Sequence, residues 1–345
     1  MLSTASSIAS SMVSSVVSNS FLHAPKRYAP ICSGHRGYRG KFPENSMLSF
    51  HEGVDAGVKI IETDLQVSSD GVVVISHDYN TQRCFGVDYL VPETPYYGVL
   101  DQLVTPDDFK QKMPTLKDLA QLYLTPQYAS TALMLDIKPE NQVNVIDKII
   151  AALLEVKPDL AFWALRTTLG IWTPEFLDRC QHKASEFRIT HIGASHYHAR
   201  QFLAHPQVAC ISLNINLLTS AVGKSLIKQA RKLNKAVYSW TVNDEKWMKW
   251  CIESNIDGVI TDFPDRYMEI LNKDYSDPNP AITPEPTSLP LLHFNPDQYI
   301  GWYHWLASPY TVMKLEWHVY NKFNAERQRR AKNAARLAVV EVKAS

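Results

Sequence analysis

A (β/α)₈ barrel over residues 28–275 is the architecture this sequence predicts, and three observations predict it. Short β-rich apolar runs recur eight times, at 31–35, 58–65, 133–138, 165–171, 187–193, 208–214, 235–242 and 257–262. Most are separated by stretches with helical periodicity, such as 141–157 and 220–234, which is the rhythm of parallel strands joined by helical crossovers. The runner-up, an open doubly wound sheet, loses ground because no GxGxxG follows the first run.

Taken in order, the elements begin with a Ser-rich stretch, 1–27, which contains neither an acid nor an early Lys or Arg. It lacks the basic start of a signal peptide and the arginines of a mitochondrial presequence, so it reads as a disordered extension, with organelle targeting as the other reading. The second run breaks the strand–helix alternation. Ile61–Gln66 is followed by Ser69-Asp70-Gly71 and then by Val72-Val73-Val74-Ile75-Ser76-His77, with no room for a helix. Asp-Gly between two strand-like runs signals a hairpin, and a turn centred on 69–70 sets residue 77 across from residue 62 or nearly so. After the barrel, 276–290 holds five of the 20 prolines and reads as a stiff linker. The last segment, 291–345, is a separate aromatic and basic helical tail.

Charge excludes some functions. The 345 residues carry 35 basic and 35 acidic side chains, so no chain-wide basic field exists and no nucleic-acid partner is inferred. Neutrality is an average, however: residues 321–345 carry seven Lys or Arg against two acids, which leaves the preceding 320 residues net acidic. Five scattered cysteines without a CxxC pair fit neither a disulfide scaffold nor a zinc ribbon, and point to a reducing compartment. No run of about 18 apolar residues exists to form an ordinary transmembrane helix. The tail is different: Trp302, Trp305 and Trp317 lie among Tyr299, Tyr303, Tyr310 and Tyr320, and a basic stretch follows them. That combination fits an anionic membrane surface, and an aromatic lid on the barrel is the compatible alternative.

The chemistry gathers where such barrels place their sites, at the carboxyl ends of the strands. The first run ends in His35-Arg36, the second carries Glu62 and Asp64, the third Asp136 and Lys138, the seventh Trp240-Thr241-Val242-Asn243 and the eighth Thr261-Asp262. Residues i and i+2 share a strand face, so Glu62 points with Asp64, and Asp136 with Lys138. Inward carboxylates resist burial unless a cation neutralises them, and Glu62, Asp64 and Asp136 are hard oxygen ligands suited to Mg²⁺ or Ca²⁺. His35 and His77 beside such a cation make an acid–base pair, and Arg36 and Lys138 add charge for a phosphoryl group. These parts point to phosphodiester cleavage. His191, His196 and His198 have metal-cluster spacing but read better as a loop after the fifth strand. Met113 and Met134 read as core filler.

HRG with PENS (Pro43-Glu44-Asn45-Ser46), then IETDLQ, SDG, VVVISHD, LMLDIKP, SWTVND and DGVITDFPD, in this order, resemble the glycerophosphodiester phosphodiesterase family. LMLDIK, LLEVKPDLAFW and the tail look most like its fungal phosphatidylglycerol phospholipase C branch. The resemblance implies a TIM barrel with a hairpin after strand two, His35 and His77 as the catalytic pair, and a divalent cation at Glu62, Asp64 and Asp136. It further implies that Arg36, Glu44 and Lys138 contact phosphate or organise the site, and that Trp240 lines the substrate cleft. Asp136 departs from the family's usual Glu; the shorter side chain implies a water-mediated contact or a cation closer to the third strand. Arg39 and Lys41, in the loop 38–42, are expected to present positive charge at the mouth.

The expected function is therefore metal-dependent cleavage of a glycerophospholipid, phosphatidylglycerol, to diacylglycerol and glycerol phosphate. The mechanism implied is internal: a headgroup hydroxyl attacks phosphorus, one histidine protonates the leaving oxygen, and water later opens a cyclic phosphate. The alternatives are a soluble enzyme acting on deacylated glycerophosphodiesters and a non-catalytic lipid-binding barrel. The expected location is intracellular and peripheral on a membrane or lipid droplet, with the mitochondrion and the endoplasmic reticulum as candidate organelles. No protein partner is inferred.

Overall fold

The computed structural model describes residues 30–274, so the N-terminal extension, the Pro-rich linker and the aromatic and basic tail lie outside the described residues. Within them, the strands are β1 (Ile31–His35), β2 (Ile60–Val67), β3 (Val73–Ile75), β4 (Ala132–Ile137), β5 (Thr167–Ile171), β6 (Arg188–Gly193), β7 (Val208–Asn214), β8 (Ala236–Trp240) and β9 (Gly258–Thr261). All but β3 are parallel neighbours in one sheet, and β1 closes the circle by pairing with both β2 and β9. Ser33 lies opposite Ile60 on one side and Ile260 on the other. The result is the eight-stranded barrel the spacing predicts.

The near-continuous apolar runs follow from burial on both faces. Ile60, Ala132, Met134, Cys210, Ala236, Tyr238 and Ile260 pack together inside the barrel. The alternate positions Ile61, Leu133, Leu135, Leu169, Ile189, Ile211, Val237 and Val259 join the larger core beneath the helices. Each such side chain removed from water contributes about 1.5–3 kcal/mol. Gly258 is required by close approach, since a Cβ there would meet the Tyr238 ring at 2.3–2.5 Å. Met113 and Met134 are buried, as expected of core filler.

The helices are α1 (Met47–Asp55), α2 (Gln82–Phe85), α3 (Leu116–Leu122), α4 (Val145–Val156), α5 (Leu160–Arg166), α6 (Pro174–Lys183), α7 (His196–Leu203), α8 (Ile215–Thr219), α9 (Ala221–Lys232), α10 (Glu245–Glu253) and α11 (Pro264–Asp274). In α4 the buried set Val145, Ile146, Ile149, Ala152 and Leu153 repeats at helical spacing and turns one face to the barrel. Ser46 starts α1 with a capping box, in which its hydroxyl accepts from the Ser49 N–H and its own N–H donates to Ser49 Oγ. No helix among the described residues is long and apolar enough to cross a membrane, and all five cysteines are free thiols.

Three expectations need correction in detail. The hairpin pairs Leu65 with Ile75 and Val67 with Val73, one residue further along than a turn centred on 69–70 would give. Ser68 N–H bonds to the Val72 carbonyl and Gly71 N–H to that of Ser68, so the turn is wider than a two-residue loop. Ser76 N–H consequently reaches the Asp64 carbonyl at 3.0 Å, and His77 follows opposite Thr63 rather than Glu62. The run at 165–171 becomes a strand only at Thr167, because α5 continues through Arg166, whose guanidinium donates to the carbonyls of Tyr123, Tyr128 and Thr131. His191, His196 and His198 lie not in a loop but in β6 and α7; His191 is buried against Phe202, ring centroids 4.0 Å apart, and burial lowers its pKa to about 3. It forms no cation cluster with His196 and His198 among the described residues.

Candidate active site

The site begins where β1 ends. Arg36 (φ 53°) and Gly37 (φ 80°) adopt left-handed conformations, and a Cβ on Gly37 would collide with Ser49 at 2.5–2.7 Å. This tight turn aims the Arg36 N–H at Glu62 Oε2, 2.9 Å away. The Arg36 side chain turns to Glu44 Oε1 at 2.7 Å and lies 3.2 Å from Asp64 Oδ2. Asn45, also at positive φ, donates to Asp64 Oδ2 at 2.8 Å and accepts from the Thr63 hydroxyl at 2.9 Å. The PENS segment therefore supports the acids of β2 before it starts α1.

Adjacent strands bring three acids together. β2 and β4 pair with Asp64 level with Asp136, and β1 pairs with β2 so that His35 is level with Glu62. Glu62, Asp64 and Asp136 are all buried, and one carboxylate oxygen from each lies within 4.8 Å of the others. The Lys138 ammonium is 2.6 Å from both Asp64 Oδ1 and Asp136 Oδ2, while the Trp172 indole N–H donates to Asp136 Oδ1 at 2.7 Å. The shorter Asp136 side chain thus still converges with the other two.

Electrostatics divide these acids. Burial favours the neutral form of Asp64, but Lys138 and Arg36 overcome it and hold the carboxyl well below the usual range. Glu62 moves the other way: burial, then Asp64 and Asp136, push it well above its ordinary value. Burial opposes charge on Lys138 as well, yet Asp136 and Asp64 raise its pKa. The cluster is therefore short of positive charge at Glu62. Three hard oxygen donors around an underneutralised buried position fit a hard divalent cation.

Two histidines flank this cluster. His35 Nδ1 lies 2.6 Å from Asp262 Oδ1, and Asn243 fixes Asp262 through Nδ2 to Oδ2 at 2.8 Å and by accepting the Asp262 N–H at 2.9 Å. Burial lowers the His35 pKa, and the Asp262 hydrogen bond opposes that shift in part. His77 Nδ1 lies 2.7 Å from Asp78 Oδ1. Gln66 Nε2 donates to the carbonyls of Ser76, His77 and Asp78, which ties the returning hairpin strand to β2. In both histidines a carboxylate occupies Nδ1, so that, among the described residues, Nε2 is the ring nitrogen left for proton transfer with a bound molecule.

Of the residues predicted from sequence, Arg36, Glu44, Glu62, Asp64, Asp136 and Lys138 form one connected network; His35 joins it through Asp262 and Arg39, and His77 through Asp78 and Arg83, which donates to Asp78 and Glu44. Trp240 stands beside it, edge-on to Trp172 with centroids 5.8 Å apart and its indole N–H on the Ser212 carbonyl. Sequence reasoning missed Trp172, Asn45, Gln66 and Arg83, and noted Asp262 and Asn243 without placing them beside His35. Trp172 was accessible: it lies two residues beyond Gly170, whose barrel-lining face it continues past the end of β5. Arg39 and Lys41, expected at the mouth, both have acidic partners. Arg39 pairs with Glu44 at 2.8 Å and Lys41 with Asp265 at 2.7 Å.

Residues 35–266 match the model of the glycerophosphoryl diester phosphodiesterase family. The chain is 22% identical over 258 residues to a glycerophosphodiester phosphodiesterase of Bacillus altitudinis, covering 68% of this chain and 96% of that one. It is 25% identical over 280 residues to the lysophospholipase D GDPD1 of Rattus norvegicus, covering 69% and 85%. Among solved structures it resembles in fold an Oleispira antarctica phosphodiesterase in complex with the product sn-glycerol-3-phosphate, at TM-score 0.63 and 23% identity, covering 74% of this chain and 99% of that one. With two thirds of its length matching the family model, the chain belongs to the glycerophosphoryl diester phosphodiesterase family and is a hydrolase of phosphodiester bonds.

Proposed function

We propose that this hydrolase acts at a membrane periphery on a glycerophospholipid, phosphatidylglycerol, and releases diacylglycerol and glycerol phosphate in phospholipase C fashion. His35 and His77 are its acid–base pair, Glu62, Asp64 and Asp136 hold its cation, and Arg36, Glu44, Lys138 and Trp240 bind or organise the substrate. The observation that carries the chemistry is the pairing of two carboxylate-backed histidines with three converging buried acids. A divalent cation bound there supplies Lewis acidity at the phosphoryl group. Arg36 and Lys138 bring positive charge toward phosphoryl oxygens as negative charge spreads over them. One histidine Nε2 accepts the proton of the headgroup hydroxyl beside the phosphate as that oxygen attacks phosphorus in line. The other, protonated, gives its proton to the leaving diacylglycerol oxygen, and the pair reverses roles when water opens the cyclic phosphate.

The headgroup and the location rest on the sequence: the LMLDIK and LLEVKPDLAFW segments, and the aromatic and basic residues of 291–345. The protein is placed inside the cell, peripheral on a membrane or lipid droplet, with the mitochondrion and the endoplasmic reticulum as candidate organelles. A second reading, cleavage of deacylated glycerophosphodiesters to glycerol 3-phosphate and an alcohol, is favoured by the name of the Bacillus altitudinis relative.

Product analysis on phosphatidylglycerol vesicles with Mg²⁺ or Ca²⁺ separates these readings. Diacylglycerol with glycerol phosphate is the expected pair. Turnover of deacylated substrates with no diacylglycerol from the lipid selects the second reading, and phosphate retained on the lipid indicates cleavage of the other ester bond. Sedimentation with anionic vesicles, comparing the full chain with one ending at residue 275, tests the membrane assignment; equal binding removes the tail as anchor.

A further inference from the structure

The geometry points to Arg83 as a positioning residue that couples the supports of the two histidines through Glu44, with Arg39 as its looser counterpart. Glu44 is 9% exposed at its side chain, yet three guanidiniums converge on it. Arg36 Nη1 donates to Oε1 at 2.7 Å, Arg39 Nε to Oε2 at 2.8 Å, and Arg83 straddles both oxygens, Nη2 to Oε1 at 2.6 Å and Nη1 to Oε2 at 2.8 Å. Each arginine also reaches a different second acid. Arg36 lies 3.2 Å from Asp64 in the cation cluster. Arg39 Nη1 reaches Asp262, the partner of His35, at 3.5 Å. Arg83 Nε reaches Asp78, the partner of His77, at 2.5 Å.

One carboxylate thus stands at the junction of three lines, two ending on a histidine and one on the cation cluster. Arg83 does not come from the barrel wall. It sits on α2, a four-residue helix between β3 and α3 with no buried side chain of its own. Phe85 of this helix packs against Val74, Val91, Leu100 and Met113, and the Arg83 guanidinium ties the helix to Glu44 and Asp78. Its planar fork takes both oxygens of Glu44 while Nε takes Asp78, a three-bond geometry that a lysine ammonium does not reproduce. The three arginines face four acids, Glu44, Asp64, Asp78 and Asp262, so the cluster needs no bound anion to neutralise it. Loss of Arg83 should therefore disturb the aim of His77 rather than substrate affinity.

The inference rests on the assignment of His35 and His77 as the acid–base pair, and the test keeps the two apart. In the full chain with the substrate that the wild type turns over, Arg83→Ala is expected to lower kcat about 10- to 100-fold. KM and cation affinity by calorimetry should stay within about twofold of wild type, the mark of a residue that aims a reacting group rather than binding the substrate. Arg83→Lys should not restore kcat, whereas added guanidinium ion should restore part of it to Arg83→Ala. Arg39→Ala should act in the same direction with a smaller effect. A kcat within about twofold of wild type for Arg83→Lys overturns the inference, and it serves as the deciding variant if Arg83→Ala does not fold. A raised KM at unchanged kcat also overturns it, because Arg83 would then be a substrate contact. Undiminished turnover in His35→Ala or His77→Ala would instead show that the underlying assignment is wrong.

Discussion

His35 and His77 reach the same site from opposite kinds of structure. His35 ends a barrel strand, is buried, and is held by Asp262 from the end of the neighbouring strand, which Asn243 locks in turn. His77 belongs to the returning arm of a hairpin, is about one-third exposed at its side chain, and leans on its own sequence neighbour Asp78. Rigid packing positions the first; hydrogen bonds from Gln66 and Arg83 position the second. One acid–base pair can thus join a group fixed by the fold to one fixed by a polar network, provided that network is complete.

Substitutions can break this contrast or sharpen it. The largest effects belong to the imidazoles: His35→Ala and His77→Ala should each cost about 10²–10⁴ in kcat, and comparable losses would show that the exposed member is as necessary as the buried one. Their carboxylate partners should differ. Asp262→Asn, which disturbs a buried group bonded to Asn243 and His35, is expected to cost about 100-fold in kcat, and Asp78→Asn about 10-fold. The reverse order would mean that the hairpin is the better-ordered half. Trp172→Phe keeps a ring beside Trp240 but removes the donor to Asp136, so calorimetry should report about 10-fold weaker cation binding.

The smallest expected effect concerns stability. Burial favours a protonated Glu44, but Arg83, Arg36 and Arg39 hold its pKa down to about 2 from 4.5. A carboxyl depressed in the folded state stabilises it fully above its unfolded pKa, and that contribution fades as pH falls toward the folded value. Glu44 therefore contributes at most about 3 kcal/mol near neutrality, lost as pH drops through the interval between those two values. Thermal melts should show a shallower acid loss for Glu44→Gln than for wild type. Parallel curves would show that the three-arginine junction carries no net stabilisation.

The sequence was most legible where a residue's partners are its near neighbours in the chain. Alternation placed Glu62 with Asp64 and Asp136 with Lys138, and Asp-Gly located the hairpin that returns His77. The exact register was not legible, since it depends on Ser68 closing a wider turn with Val72. Pairings between distant strands were also hidden: His35 and Asp262 are 227 positions apart, and only barrel closure makes them neighbours. The same limit hid the acidic partners of Arg39 and Lys41, since only the fold brings Glu44 and Asp265 against them. Trp172 escaped because an aromatic after a Gly-containing strand carries no charge to mark it as part of a site.

The central claim is that the acids of β2 and β4 form a cation site on which hydrolysis depends. Titration calorimetry of Mg²⁺ and Ca²⁺ into chelator-treated protein tests it most directly, with hydrolysis followed in the same samples. One ion bound per chain, activity restored in step with occupancy, and loss of both in a Glu62→Gln/Asp64→Asn variant are the predicted results. Hydrolysis that continues with no ion bound, or an ion that still binds the double variant with wild-type affinity, would contradict the account.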